Sequence, residues 1–363
     1  MSEEDLGLKL KMERALWAAG FYTRTNVRLA SVVRAKGAAE PSAEDLTDVD
    51  VLGIKFAEDL TPRRVAVDCK SGKQVSPIGR TFWLAGVMKH LDADRGYVIL
   101  ARDIPEHQRG AAANLGVTLL QAPEISELES RYPAVPESLM VGTSVPYQYL
   151  EGNLHQLSKN LARLVGYRDT MFWFFPPTRA IAEGINITRA AMDELDLKQR
   201  FHRALLLDMA ALFALATITV ASYVMRLGQA EIIDTLRNLF FGGAAGVARR
   251  EAMIRRIRTL LSQVSQQAEL PLDDATFQLD PSYLTVVAEA VVRIMASPVE
   301  GGQAPRYLKA RLLHGVLYDE WNIEEIFGAA YSPVADKLAV DLALAFLKSS
   351  GLNAGAAEAL KLK

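Results

Sequence analysis

Asp50, Asp68 and Lys70 are the residues of this chain whose types and spacing could do chemistry. Each lies in a short run where β-branched residues alternate with other types, the pattern of a strand: Thr-Asp-Val-Asp-Val-Leu-Gly-Ile over 47–54 and Arg-Val-Ala-Val-Asp-Cys-Lys over 64–70. Side chains alternate across a strand. Val49 and Val51 should therefore share one face, with Asp48, Asp50 and Leu52 on the other. In the second run Val65 and Val67 share a face, and Ala66, Asp68 and Lys70 share the opposite one. If the two strands pair, Asp50, Asp68 and Lys70 converge at one edge of a sheet. Two carboxylates with an ammonium two residues beyond one of them suit a hard divalent cation held by oxygen. The lysine would orient or polarise a water on that ion. Asp48 is expected toward solvent, and the Cys69 thiol faces away from the cation.

Positioning these three residues requires a sheet with helices around it. Residues 6–19 have apolar positions at helical spacing, Leu8, Met12, Ala15, Leu16 and Ala19, and Gly20 ends the run. A first strand is expected over 26–33 and a polar loop over 35–45. After the second motif the pattern predicts a helix over 78–91, a buried strand over 97–101, a helix over 106–115, a strand over 117–120 and a helix from 123 or 124 to about 131. Short strands alternating with helices form an α/β arrangement. Tyr132-Pro133-Ala134-Val135-Pro136 breaks the pattern, so residues 1–132 form one domain, 133–150 a linker and 151–363 a second domain.

With that order of elements, the motif resembles the PD-(D/E)xK nuclease superfamily, the restriction-endonuclease-like fold. The pattern of that family is an acid on a leading helix, an aspartate on one strand and (D/E)-x-K on the next. Here the acid is Glu13, the aspartate Asp50 and the last motif Asp68-Cys69-Lys70. Val49 stands where the family name has proline. Asp68-Cys69-Lys70-Ser71-Gly72 looks like the D-x-K-x-G form of Mrr-like and RecB-like members, although the Q-x-x-x-Y signature of the RecB-like branch is missing and no branch is assigned. The resemblance covers roughly the first third of the chain, one small domain's worth. It implies a mixed central sheet flanked by helices and a Mg²⁺- or Mn²⁺-dependent endonuclease that hydrolyses phosphodiester bonds in DNA. It also implies metal ligation by Asp50, Asp68, the Cys69 backbone carbonyl and Glu13. Lys70 would position the water or neutralise oxyanions, while Lys73 and Arg80 would contact backbone phosphates. Without a metal the clustered carboxylates should repel, so Asp68→Ala is expected to leave the fold intact or stabilise it.

Composition suits a cytoplasmic protein: of 363 residues, 50% are hydrophobic and 23% charged. One cysteine excludes an internal disulfide framework, and it makes no zinc site with the five scattered histidines. The acidic start Met1-Ser2-Glu3-Glu4-Asp5 is unlike a secretory signal. With a net charge of only −2, DNA would have to be met by local basic patches.

The second domain reads as all-helical, with helices over 157–164, 187–197, 199–227, 232–239, 247–267, 283–296, 305–318 and 334–349. Residues 209–225 carry no charge and reach the lower length limit for a membrane span. Their Ala, Thr and Ser content fits a buried core helix better, so no membrane partner is expected. Arg249, Arg250, Arg255, Arg256 and Arg258 cluster on one helix beside a broad apolar stripe. That favours a packing interface or solvated face over direct DNA contact. The domain is expected to recognise, regulate or oligomerise, as a homo-oligomer or with a partner protein. A nuclease with a large helical appendage resembles components of prokaryotic antiviral defence systems, an analogy of architecture alone. Two other readings stay open: a catalytically inactive nuclease fold that binds nucleic acid or acts as a scaffold, and an effector whose nuclease is released by a ligand or partner on the helical domain.

Overall fold

In the computed structural model, described for residues 3–33, 42–72, 74–133, 139–153, 157–228, 231–268, 280–319 and 322–362, the first part is a five-stranded mixed sheet with flanking helices. Helix α1 (Glu3–Ala18) leads into β1 (Tyr22–Val33), β2 (Ser42–Phe56) and β3 (Pro62–Lys70). Then follow α2 (Pro77–Leu91), β4 (Arg95–Leu100), α3 (Glu106–Ala113), β5 (Val117–Gln121) and α4 (Glu124–Glu129). Spatial order equals chain order. β1, β2 and β3 pair antiparallel, whereas β3, β4 and β5 run parallel, with α2 and α3 as the crossovers.

Both faces of the sheet are buried. On one, Val51, Val65, Val67, Cys69 and Ile99 pack with Leu8, Met12, Ala15 and Leu16 of α1 and Ile125 of α4. On the other, Leu52, Ile54, Ala66, Val98 and Leu100 pack with Leu84, Val87 and Met88 of α2. Contact there is close: a Cβ on Gly96 would lie 2.6 Å from the Met88 sulfur. The alternation read from the sequence therefore holds along β3. It fails at Val49, which packs with Leu52 rather than with Val51. The cause is local. Asn26 of β1, between the paired positions Thr25↔Val51 and Val27↔Val49, has φ 53°, outside strand geometry.

The rest is helical: α5 (Ser144–Asn153), α6 (Lys159–Asp169), α7 (Pro177–Ala190), α8 (Arg200–Leu227), α9 (Ile232–Phe241), α10 (Ala244–Ala268), α11 (Leu284–Ala296), α12 (Pro298–Ala310), α13 (Ile323–Phe327), α14 (Pro333–Ser349) and α15 (Ala354–Ala359). Three expectations need correction. The helix expected over 187–197 is α7, which starts ten residues earlier because Pro177 suits the first helical position. The helix expected from 305 begins at Pro298, keeps Pro305 in its buried interior, and passes into a π turn at Arg311–Val316. Residues 42–45, expected in a loop, pair with β1.

The apolar stretch 209–225 is the middle of α8, buried throughout its most apolar window and packed by α7, α11, α12 and α14. Among the described helices it is the one long and apolar enough to cross a bilayer. Buried residues of both parts join in one cluster, Tyr22, Val27 and Leu52 with Leu212, Tyr307 and Phe346. An ionic cluster crosses the same junction. Arg24 of β1 donates Nη1 to both Asp208 oxygens of α8, at 2.7 and 2.9 Å, and Arg168 of α6 pairs with Asp208 through Nε. Burial alone would raise the Asp208 pKa, but Arg24 and Arg168 outweigh it and hold the carboxyl at about 2.

Candidate functional site

The site forms where β2 parts from β3. Their pairing runs from Phe56↔Pro62 to Val51↔Val67 and stops. Beyond it β2 continues against β1 alone, while β3 stays paired with β4 through Asp68↔Val98 and Lys70↔Leu100. Asp50 is the first residue past the split. Its side chain takes over where the ladder ends: Oδ2 accepts the Cys69 backbone N–H at 2.7 Å. A backbone donor that would otherwise be buried without a partner is satisfied in this way, and one carboxylate oxygen is fixed.

The motif residues come together, although the alternation of β2 breaks between Val49 and Val51. Lys70 Nζ lies 3.2 Å from Asp50 Oδ2 and 3.0 Å from Asp68 Oδ1. Asp50 and Asp68 are buried, whereas the Lys70 side chain keeps 34% of its surface open to solvent. Burial disfavours the Lys70 charge, but Asp50 and Asp68 more than compensate and hold its pKa above the ordinary value. The ammonium is therefore permanent at neutral pH. The Cys69 thiol goes the other way. Burial first, then Asp50 and Asp68, pushes its pKa well up, so it stays a protonated core side chain.

Two more cations reach the carboxylates. Lys9 of α1 places Nζ 2.6 Å from Asp50 Oδ1 and 2.8 Å from Asn26 Oδ1. Arg80 of α2 donates Nε and Nη2 to Asp68 Oδ2 and Oδ1, each at 2.6 Å, and its guanidinium stacks 3.9 Å above the Trp83 ring. Such a two-pronged guanidinium–carboxylate pair is the strong form of an ion pair.

Two further candidates have partners of their own. Arg80 pairs with both Asp68 oxygens while a quarter of its side chain stays open to solvent. Glu13 does not join Asp50 and Asp68: its Oε1 accepts from Thr23 Oγ1 at 3.2 Å and from Lys309 Nζ of α12 at 2.5 Å. Among the described residues no three His, Cys, Asp or Glu side chains converge to hold a metal. Lys73 lies outside the described residues. Lys9 and Asn26 went unseen in the sequence. The signal for Lys9 was its place between Leu8 and Leu10 on a helix that must cover the sheet, one turn before Glu13.

Mg²⁺ and Mn²⁺ ask for several open oxygen ligands. Here two carboxylates face three side-chain cations, one positive charge in excess, and each carboxylate is already paired. As arranged, these residues do not fit a divalent metal. Comparison with protein-family models, with curated proteins and with solved structures gives no match.

Proposed function

We propose that the chain is a phosphodiesterase of the nuclease type, acting on DNA, with Asp50, Asp68 and Lys70 as its reactive group. The observation that carries this reading is the Lys70 ammonium within 3.2 Å of both carboxylates at the split between β2 and β3, on the mixed sheet that the resemblance implies. Lys70 is the member of the trio that solvent reaches, so it is the one that would meet a phosphate oxygen and offset charge developing there. Asp50 is held in one orientation by the Cys69 amide, as a reacting carboxylate should be. The restriction-endonuclease-like fold, the dependence on Mg²⁺ or Mn²⁺ and a role as a cytoplasmic defence effector belong to the same proposal.

A second reading, a nucleic-acid-binding module without cleavage, is favoured by the three cations on two carboxylates. In that reading Asp50, Asp68 and Lys70 are retained because they close an ion-pair network. Supercoiled, linear and single-stranded DNA incubated with the purified chain in Mg²⁺, Mn²⁺ or EDTA separates the two. The phosphodiesterase reading expects nicking in Mn²⁺ that EDTA stops and that Lys70→Ala reduces by about a hundredfold with DNA affinity kept. Duplex binding with no cleavage under any condition would establish the binding module instead.

A further inference from the structure

Lys9 and Asp50 are an uncommon pair. Both are buried, 5% and 2% exposed, and the ammonium lies under 3 Å from Asp50 Oδ1 and from Asn26 Oδ1. An ammonium is strongly hydrated and is buried only where oxygens replace its water. Asp50 and Asn26 supply those oxygens, and Asn26 does so from a backbone of φ 53° that asparagine tolerates better than most residues. Lys9 thus occupies the flank of Asp50 opposite the Cys69 amide, the oxygen that any metal ion at this carboxylate would need.

The helix that carries Lys9 is itself anchored. Glu13 lies four residues on, on the same face of α1. It is held by Lys309 of α12, whose Nζ also donates to the Thr23 carbonyl oxygen at 2.8 Å. One turn earlier on α12, Arg306 donates Nη2 to the Trp17 carbonyl oxygen at 3.0 Å, with its guanidinium 4.5 Å from the Trp17 ring centre. Behind α1 the chain at Gly142, φ 75°, comes so near that a Cβ there would lie 2.6 Å from the Leu10 oxygen. Helix α12 therefore holds α1 at Glu13 and Trp17, and α1 in turn carries Lys9 to Asp50.

We propose that Lys9 is a built-in cation that keeps divalent metal off Asp50, and that α12, through Lys309 on Glu13 and Arg306 on Trp17, sets whether Lys9 stays seated. This rests on the phosphodiesterase reading above. It gives the helical part a task, holding the site closed until α1 moves.

The test is titration of the full-length chain with Mn²⁺ alone in a calorimeter, with thermal melting of the same samples with and without Mn²⁺. Lys9→Gln keeps a donor for Asn26 but removes the charge. It should bind Mn²⁺ about tenfold more tightly than the wild type, and Mn²⁺ should raise its melting temperature. Lys309→Met, outside the site, should tighten Mn²⁺ binding in the same direction, and it carries the test if Lys9→Gln does not fold. Asp50→Asn combined with Lys9→Gln should abolish the gain. Equal Mn²⁺ affinity in wild type, Lys9→Gln and Lys309→Met overturns the proposal, and DNA cleavage by the wild type in that case leaves the phosphodiesterase reading standing. Tighter Mn²⁺ binding by Lys9→Gln without DNA cleavage upholds the role of Lys9 and removes the phosphodiesterase reading.

Discussion

At the scale of the residue, Asp68 shows how partners reverse an expectation. Two acids close together should repel, and the sequence alone predicts that Asp68→Ala is neutral or stabilising. The structure surrounds Asp68 with Arg80 and Lys70, so its removal leaves a guanidinium and an ammonium without their counter-charge. Asp68→Ala is now expected to cost about 3 kcal/mol, the scale of breaking one side of a buried pair, read as a fall in the urea midpoint with an unchanged slope. An unchanged midpoint would mean the network carries no stability. What the sequence made legible here was the pair Asp68 and Lys70, whose shared face period-two alternation along β3 fixes, and Asp50 as an acid on the neighbouring strand. Lys9 was not legible. Its contact depends on how α1 crosses the sheet, and a helix pattern gives the buried stripe of α1 but no partner for one lysine at its edge.

At the scale of the element, the strands and most helices followed their patterns, and the departures arise from particular residues. Pro305 reads as a helix start, yet tertiary packing of Ala304, Tyr307 and Leu308 keeps it inside α12. Val49 changes sides where the neighbouring strand leaves extended geometry at Asn26, a departure that residue names alone do not reveal. Helix α10 shows what the sequence could weigh but not decide. Arg249, Arg250, Arg255, Arg256 and Arg258 are all exposed, as are Met253 and Leu260; Arg250 also lies 4.7 Å over the Phe241 ring, and Arg255 is 3.8 Å from Glu251. Neutralising these five arginines is expected to leave duplex affinity and its salt slope unchanged. A DNA-tracking helix would instead lose roughly 0.9 from that slope for each phosphate contact removed. Fluorescent-duplex titration at several salt concentrations distinguishes the outcomes.

At the scale of the molecule, the sheet and the helical part share one apolar core and one buried ionic cluster, a union that the change of sequence pattern after residue 132 did not foretell. Asp208 makes the union pH-dependent. Its carboxyl is held at about 2 in the folded chain against about 3.8 when free, so it contributes stability above its ordinary pKa and loses it as pH falls through that interval. Two pKa units correspond to about 2–3 kcal/mol. Acid unfolding of the wild type should therefore steepen between pH 4 and pH 2, and Asp208→Asn should be less stable at pH 7 and flatter across that interval.

The central claim is that Asp50, Asp68 and Lys70 form a phosphodiesterase site, and cleavage of supercoiled plasmid in Mn²⁺ tests it most directly. Wild type, Lys9→Gln and Lys70→Ala would be run side by side with EDTA controls. The account predicts slow nicking by the wild type, faster nicking by Lys9→Gln, loss in Lys70→Ala and none in EDTA. Plasmid left intact by both wild type and Lys9→Gln, with duplex binding retained, would contradict it.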